Sequence, residues 1–125
     1  MLKELRKIFD YYKKKYKLKT RLLLNNNEKC AFNYNKNYIS YDINYVKIIS
    51  NKIIDKYNVN HKLIFCLLHE LGHAIDKKYN KKQVNKENDK MNYTLYKFDV
   101  NYALSLPFEK RANDFAKKEL KKWIN

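Results

Sequence analysis

The sequence contains little cysteine, because Cys30 and Cys66 are the only two in the chain. They do not form a Cys-x-x-Cys pair, whereas structural zinc sites usually have four protein ligands rich in cysteine. Two cysteines also cannot supply the several disulfides on which small secreted domains depend. We therefore expect reduced thiols and a fold that is stabilised by a buried core.

Long apolar segments are also absent from the sequence. No run approaches the roughly 18 residues that a membrane-spanning helix requires, and the N-terminus lacks the apolar region and cleavage site of a secretory signal. A chain of 125 residues is large enough to bury one core and too short for two. We expect residues 1–125 to form a single domain that is soluble and cytoplasmic.

Acidic residues are few, since 13 Asp and Glu face 28 Lys and Arg and leave a net charge of +15. Such a charge favours nucleic-acid binding when it is concentrated on one face. Here the lysines are spread along the chain, and the abundance of Lys, Asn, Ile and Tyr matches the codons of an AT-rich gene. We favour a solvated basic surface and expect no specific nucleic-acid partner.

Glycine occurs once, at Gly72, inside a motif that carries chemistry. His69, Glu70 and His73 form an H-E-x-x-H pattern, and on a helix the two histidines share one face and can bind one metal ion. Glu70 lies about 100° round this metal helix, where it can take a proton from metal-bound water. A glycine within a helix costs about 1 kcal/mol relative to alanine. We therefore expect another element to pack closely against Gly72.

The spacing of apolar residues predicts the secondary structure around this motif. A first amphipathic helix is expected to pack on the core and not to lie on a membrane surface. Short β-favouring runs between asparagine-rich turns predict a small antiparallel sheet. The predicted helices cover residues 2–17, 43–57 with Asp42 as the N-cap, 61–79 with Asn60 as the N-cap, and 107–123. A weaker helix is predicted around 91–102 after an exposed loop at 80–90, and the strands are predicted at 20–24, 29–34 and 38–43.

Two histidines do not complete a catalytic zinc site, which usually has three protein ligands. Asp76 shares the helix face, but positions 69 to 76 extend over about 10 Å of a straight helix, which is too far for one ion. His61 lies in the first turn of the metal helix, where we expect it to be exposed or involved in capping. The remaining acidic candidates downstream are Glu87, Asp89 and Asp99, which lack a supporting pattern, and Glu109.

Glu109 begins the last predicted helix, where the small residues Ala112 and Ala116 would allow close approach to the metal helix. The run Glu109, Ala112, Asn113, Phe115 and Ala116 follows H-E-L-G-H as E-x-x-A-N-x-F-A. The two motifs together resemble the ImmA/IrrE-type zinc peptidases. This resemblance implies an α+β, zincin-like metallopeptidase domain, in which a short antiparallel sheet packs on helices that include the metal helix.

The resemblance also implies the roles of individual residues. His69, His73 and Glu109 would bind Zn²⁺, and Glu70 would be the catalytic base. Asn113, one turn after Glu109, could form a hydrogen bond with a ligand imidazole. Family members often have a second acid two residues after the glutamate ligand, where this chain has Arg111.

Members of this family cleave helix-turn-helix repressors of phages and mobile elements, so the resemblance implies a protein or peptide substrate of this kind. We expect that substrate to lie extended along the sheet edge at 38–42. The alternative is a basic, non-enzymatic regulator or nucleic-acid-binding domain with a structural zinc. In that case Cys66, one turn before His69, could be a fourth ligand, although a buried core cysteine is the simpler interpretation.

Overall fold

The computed structural model describes residues 1–25, 29–53 and 56–124 and has the α+β class expected from the sequence. In this part of the chain the strands are β1 (Arg21–Leu24), β2 (Cys30–Asn33) and β3 (Tyr38–Tyr41). The helices are α1 (Leu2–Lys15), α2 (Ile43–Ile53), α3 (Val59–Tyr79), α4 (Lys81–Lys90), α5 (Tyr93–Phe98), α6 (Val100–Ser105) and α7 (Pro107–Leu120).

The sheet is mixed, so the prediction of an antiparallel sheet was wrong. Its order is β1-β3-β2, with β1 parallel and β2 antiparallel to β3. The chain runs from β1 to β2 and then to β3, which lies between the other two strands. The segment that contains β2 is therefore part of the crossover that connects the parallel strands β1 and β3. The segment 38–42, which we expected at the edge, therefore contains the central strand. Asn25 and Asn37 have positive φ angles, as predicted for asparagine turns.

The first helix packs on the core, as predicted. Its buried residues Leu5, Ile8, Phe9 and Tyr12 lie on one face and join a cluster that includes residues of the sheet, α3 and α7. That packing covers the apolar face with which α1 would otherwise contact a membrane surface. Across the described residues, moreover, the helices lack the combination of length and apolar character needed to cross a membrane.

Helix α3 carries the H-E-x-x-H motif, and other elements enclose it on more than one side. The apolar residues Leu63, Leu67 and Leu71 on one side of it are buried, and Lys62 and His73 on the opposite side are buried as well. The helix ends at Tyr79 as predicted, whereas its N-cap is Asn58 and not Asn60. The Asn58 side chain accepts a hydrogen bond of 2.8 Å from the backbone N–H of His61. The start is therefore set by the residue that can satisfy a free N–H in the first turn.

The segment 81–90 forms helix α4 and not the exposed loop that we predicted. Val84 is its single buried residue, which explains why no apolar period is visible in the sequence. Lysine, glutamine and glutamate are good helix formers, and Glu87 is paired with Arg111 of α7. A tertiary ion pair thus stabilises a helix that has little apolar surface.

The remaining helix boundaries are set mainly by caps. Asp42 caps α2 as predicted, by accepting a hydrogen bond from the Tyr45 N–H. The predicted extension of α2 to residue 57 was wrong at residues 56 and 57, which are bends and not helix, and residues 54 and 55 lie outside the described residues. The predicted helix around 91–102 is divided into α5 and α6, because Asp99 ends the first and caps the second. Pro107 opens α7, as predicted.

Candidate metal centre

The two histidines of the motif converge on the same side of α3. The Nε2 atoms of His69 and His73 lie 3.1 Å apart, and the rings meet edge to face. This is the arrangement expected from a spacing of four residues in a regular helix. The pair presents two ring nitrogens toward the facing helix α7.

Glu109 is brought to this pair by the packing of α7 on α3. Its Oε1 atom lies 3.6 Å from Nε2 of His69 and in direct contact with Nε2 of His73. The approach depends on Gly72, since a Cβ atom there would lie 3.1 Å from the Cα of Ala112. The close packing that the lone glycine predicted is confirmed, and Ala112 is the residue that approaches it.

Two of the three donor separations match a small divalent cation. Ligands of a four-coordinate zinc ion, at bond lengths of about 2.0–2.1 Å, lie about 3.3 Å apart. The distances of 3.1 Å between the histidines and 3.6 Å between His69 and Glu109 bracket that value, whereas His73 and Glu109 are in direct contact and would have to move apart to share an ion. Among the described residues, Oε1 of Glu109 is a buried side-chain oxygen without a hydrogen bond of normal geometry. Since buried carboxylate oxygens normally have a partner, this atom is suited to a cation.

Glu70 adds a second carboxylate beside the histidines. Donor atoms of His69, Glu70 and His73 lie within 4.8 Å of one another, so these three could also hold a metal ion. One oxygen of Glu70, however, already accepts a hydrogen bond of 3.0 Å from the backbone N–H of Phe32 in β2. The sheet thus holds Glu70 beside the histidines, whereas Oε1 of Glu109 has no comparable hydrogen bond.

The outer ring nitrogens of both histidines have polar partners. Nδ1 of His69 lies 2.7 Å from Oδ1 of Asn113, and Nδ1 of His73 lies 3.2 Å from the hydroxyl of Tyr34. A proton on each Nδ1 leaves each Nε2 with a free lone pair, which is the form that binds a metal. The contact expected for Asn113 is present. Tyr34 was not predicted, because its strand pattern does not distinguish it from eleven other tyrosines.

Burial and neighbouring charged or polar groups shift the pKa values of His69 and Glu109 in opposite directions. Burial lowers the pKa of His69, but contact with Glu109, the charges of Glu70 and Glu109, and the Asn113 hydrogen bond raise it to about 9. Burial raises the pKa of Glu109, but contacts with His69 and His73 lower it to about 2. The contacts with the histidines thus favour the ionised form of the Glu109 carboxylate.

Burial also raises the pKa of Glu70, against the lowering effect of the two histidines. A glutamate whose pKa lies above its ordinary value is a stronger base and is better matched to proton transfer near neutral pH. The ring of Tyr96 in α5 lies 5.9 Å from that of Phe108, which lies 5.8 Å from the ring of His73. Burial and the charges of Glu109 and Glu70 raise the pKa of Tyr96. The sequence provided no signal for Tyr96 either.

The other candidates have different surroundings. Both carboxylate oxygens of Asp76 accept hydrogen bonds of 2.8–3.1 Å from Arg111, which also binds Glu87. Arg111 of α7 is thus the ion-pair partner of both Asp76 on α3 and Glu87 on α4. Burial raises the pKa of the Cys66 thiol to about 12, which disfavours the thiolate that binds zinc. Asp89 and Asp99 are not members of the His–Glu–His group found among the described residues.

A cavity of about 460 Å³ opens directly onto this centre. His69, Glu70, Glu109 and Asn113 form part of its wall. The potential ligands are therefore accessible from a space that is large enough for part of a substrate, within the range of roughly 300–1,000 Å³ typical of ligand pockets.

Comparison with family models, with curated proteins and with solved structures finds no match to this chain. The resemblance to the ImmA/IrrE-type peptidases therefore depends on the two motifs alone and stays a prediction. The physical arrangement of the site carries the functional argument.

Proposed function

We propose that this protein is a zinc-dependent metallopeptidase of a zincin-like fold. The observation that carries the proposal is the convergence of His69, His73 and Glu109 beside a cavity that His69, Glu109 and Glu70 line. The ligand set, two histidines from one helix and a glutamate from another, is that of a three-ligand site with a position left for water. Structural zinc sites usually have four protein ligands, and a nearby glutamate base would be unnecessary there.

The proposed mechanism assigns one task to each residue. His69, His73 and Glu109 would hold the zinc ion, which when bound would polarise the scissile carbonyl and lower the pKa of a bound water to about 7. Glu70 accepts the proton of the attacking water and delivers it to the leaving amine. The hydrogen bond from the Phe32 N–H to one oxygen of Glu70 restricts the direction in which the carboxylate acts.

The substrate would be a protein segment in extended conformation. The outer edge of β2 is the favoured docking edge, because β2 is an edge strand and the hydrogen bond from its Phe32 N–H to Glu70 places that edge beside the proposed base. Cys30, two positions earlier on that edge, lines the cavity. A complex in which the peptide pairs with β1 would contradict this assignment. From the resemblance, a helix-turn-helix repressor is the first substrate to try.

The decisive experiment replaces Glu70 by glutamine, which keeps the size of the side chain and removes its basicity. Glu70→Gln should bind zinc and fold like the parent, while cleavage falls by roughly 10²–10⁴-fold, the usual contribution of general acid–base catalysis. The matched control is Glu4→Gln at an exposed position of α1. Cleavage is followed on a gel with a repressor encoded beside this gene and with unstructured proteins.

The alternative is a basic regulator in which zinc is structural. In that case Glu70→Gln leaves the function of the protein unchanged, and the parent cleaves none of the substrates. Equal cleavage by the parent and by Glu70→Gln would exclude the proposed mechanism.

A further inference from the structure

The cavity beside the metal centre is much more apolar than the centre itself. Six residues contribute apolar or thiol surface to its wall: Cys30, Ile49, Tyr57, Phe65, Cys66 and Leu104. They come from the sheet, from α2 and the segment after it, from α3 and from α6. Burial raises the pKa of both cysteines, so their thiols are neutral and contribute little polarity. Such a wall is suited to a large apolar side chain.

The cavity extends along one face of α7. Glu109, Asn113 and Lys117 all line it, and their spacing of four residues places them on the same side of the helix. From Glu109 to Lys117 the helix rises about 12 Å. The opposite wall follows α3 from His69 back to Phe65, so the cavity runs from the metal centre toward the C-terminal half of α7.

Two lysines line this cavity, and one of them, Lys117, lies about two helical turns from Glu109 along α7. Lys117 is exposed on α7, and Lys56 is exposed next to Tyr57, with its Nζ atom 5.2 Å from the centre of that ring. The catalytic end of the cavity carries the carboxylates Glu70 and Glu109. The charge along the cavity therefore changes sign over about 12 Å.

We infer that the cavity selects substrate segments with a large apolar residue beside the scissile bond and an acidic residue two to four positions from it. This inference rests on the proposed peptidase function and specifies its substrate class. An extended peptide advances about 3.3 Å per residue, so 12 Å corresponds to three or four residues, and long side chains allow two. The apolar wall takes the first side chain, and Lys117 with Lys56 pairs with the second.

The test uses labelled ten-residue peptides and two separate readouts. The peptides contain phenylalanine at the centre and glutamate three positions away on either side; the comparison peptides have lysine for glutamate, or alanine for phenylalanine. Binding is measured by fluorescence anisotropy on zinc-loaded Glu70→Gln, and cleavage is measured on the zinc-loaded parent. We expect the phenylalanine–glutamate peptides to bind and to be cleaved at least about tenfold better than either comparison set.

Matched variants locate the selectivity on the cavity wall. Lys117→Glu should reverse the preference for glutamate over lysine, whereas Lys118→Glu, an exposed neighbour outside the wall, should leave it unchanged. Leu104→Asn should weaken the preference for phenylalanine over alanine, whereas Val100→Asn, exposed on the same helix and outside the wall, should not.

The outcomes separate this inference from the proposed function. If the parent cleaves peptides but does not prefer those with phenylalanine and glutamate, the inference is overturned and the peptidase proposal stands. The same holds if Lys117→Glu does not change the preference for glutamate. Selective binding without cleavage by the parent supports the binding site and overturns the peptidase proposal. Neither binding nor cleavage of any peptide overturns both.

Discussion

Gly72→Ala tests the link between helix packing and the metal centre. In an ordinary helix the change would stabilise the protein by about 1 kcal/mol, because alanine is the better helix former. Here the new Cβ would lie 3.1 Å from the Cα of Ala112 and 3.3 Å from both its carbonyl oxygen and a ring carbon of Phe115. Two of these three atoms belong to the backbone of α7, so a change of rotamer cannot relieve the contact.

The magnitude follows from two opposing terms. Overpacking a close contact costs roughly 1–3 kcal/mol, which exceeds the gain in helix propensity. We therefore expect a net loss on the order of 1 kcal/mol in the free energy of unfolding, or about 4 °C in Tm for a chain of this size. Relief of the contact requires α7 to move by a few tenths of an ångström, and Glu109 moves with it. Zinc affinity should fall by on the order of tenfold.

Urea unfolding measures the first quantity, and competition with a chromophoric chelator measures the second. Ala112→Gly in the Gly72→Ala background should not restore either value, because the contacts are with backbone atoms of residue 112. If Gly72→Ala instead gains about 1 kcal/mol with unchanged zinc affinity, as at an open helix position, the close approach of α7 is refuted.

Four further predictions concern the ligands, their support and the surface charge. Glu109→Ala should abolish tight zinc binding in metal analysis, whereas Asp76→Ala should retain full occupancy; the reverse result would refute the ligand assignment. Asn113→Ala and Tyr34→Phe should each weaken zinc binding by about 10–100-fold while leaving one ion bound, since each supports one imidazole. Arg111→Met should destabilise the protein by about 1–3 kcal/mol in urea unfolding, because Asp76 and Glu87 lose their cationic partner and keep only hydrogen bonds from Asn80 and Gln83; an unchanged midpoint would contradict this. Nucleic acids of unrelated sequence should bind weakly and equally in anisotropy titrations, with affinity that falls steeply as salt rises; selective binding of one sequence at physiological salt would favour the regulator alternative.

The sequence alone was sufficient to predict those parts of the site that lie within a single helix. His69 and His73 meet because four residues make about one helical turn, and that geometry requires no tertiary information. The lone glycine predicted a close packing partner from its cost in a helix, and Pro107 marked the start of α7. The helices over residues 2–15 and 59–79 followed from apolar periodicity, within a few residues at each end.

Contacts between distant residues were decided only by the tertiary structure. Nothing in strand periodicity indicates that β1 pairs with β3 in parallel, because alternation defines the face of a strand and not its neighbour. Helix α4 has one buried apolar residue and depends on the pairing of Glu87 with Arg111 across 24 positions. Tyr34 reaches His73 across 39 positions, and the Phe32 N–H reaches Glu70 across 38. Such hydrogen bonds arise where separate elements pack together, and a pattern within one element carries no information about them.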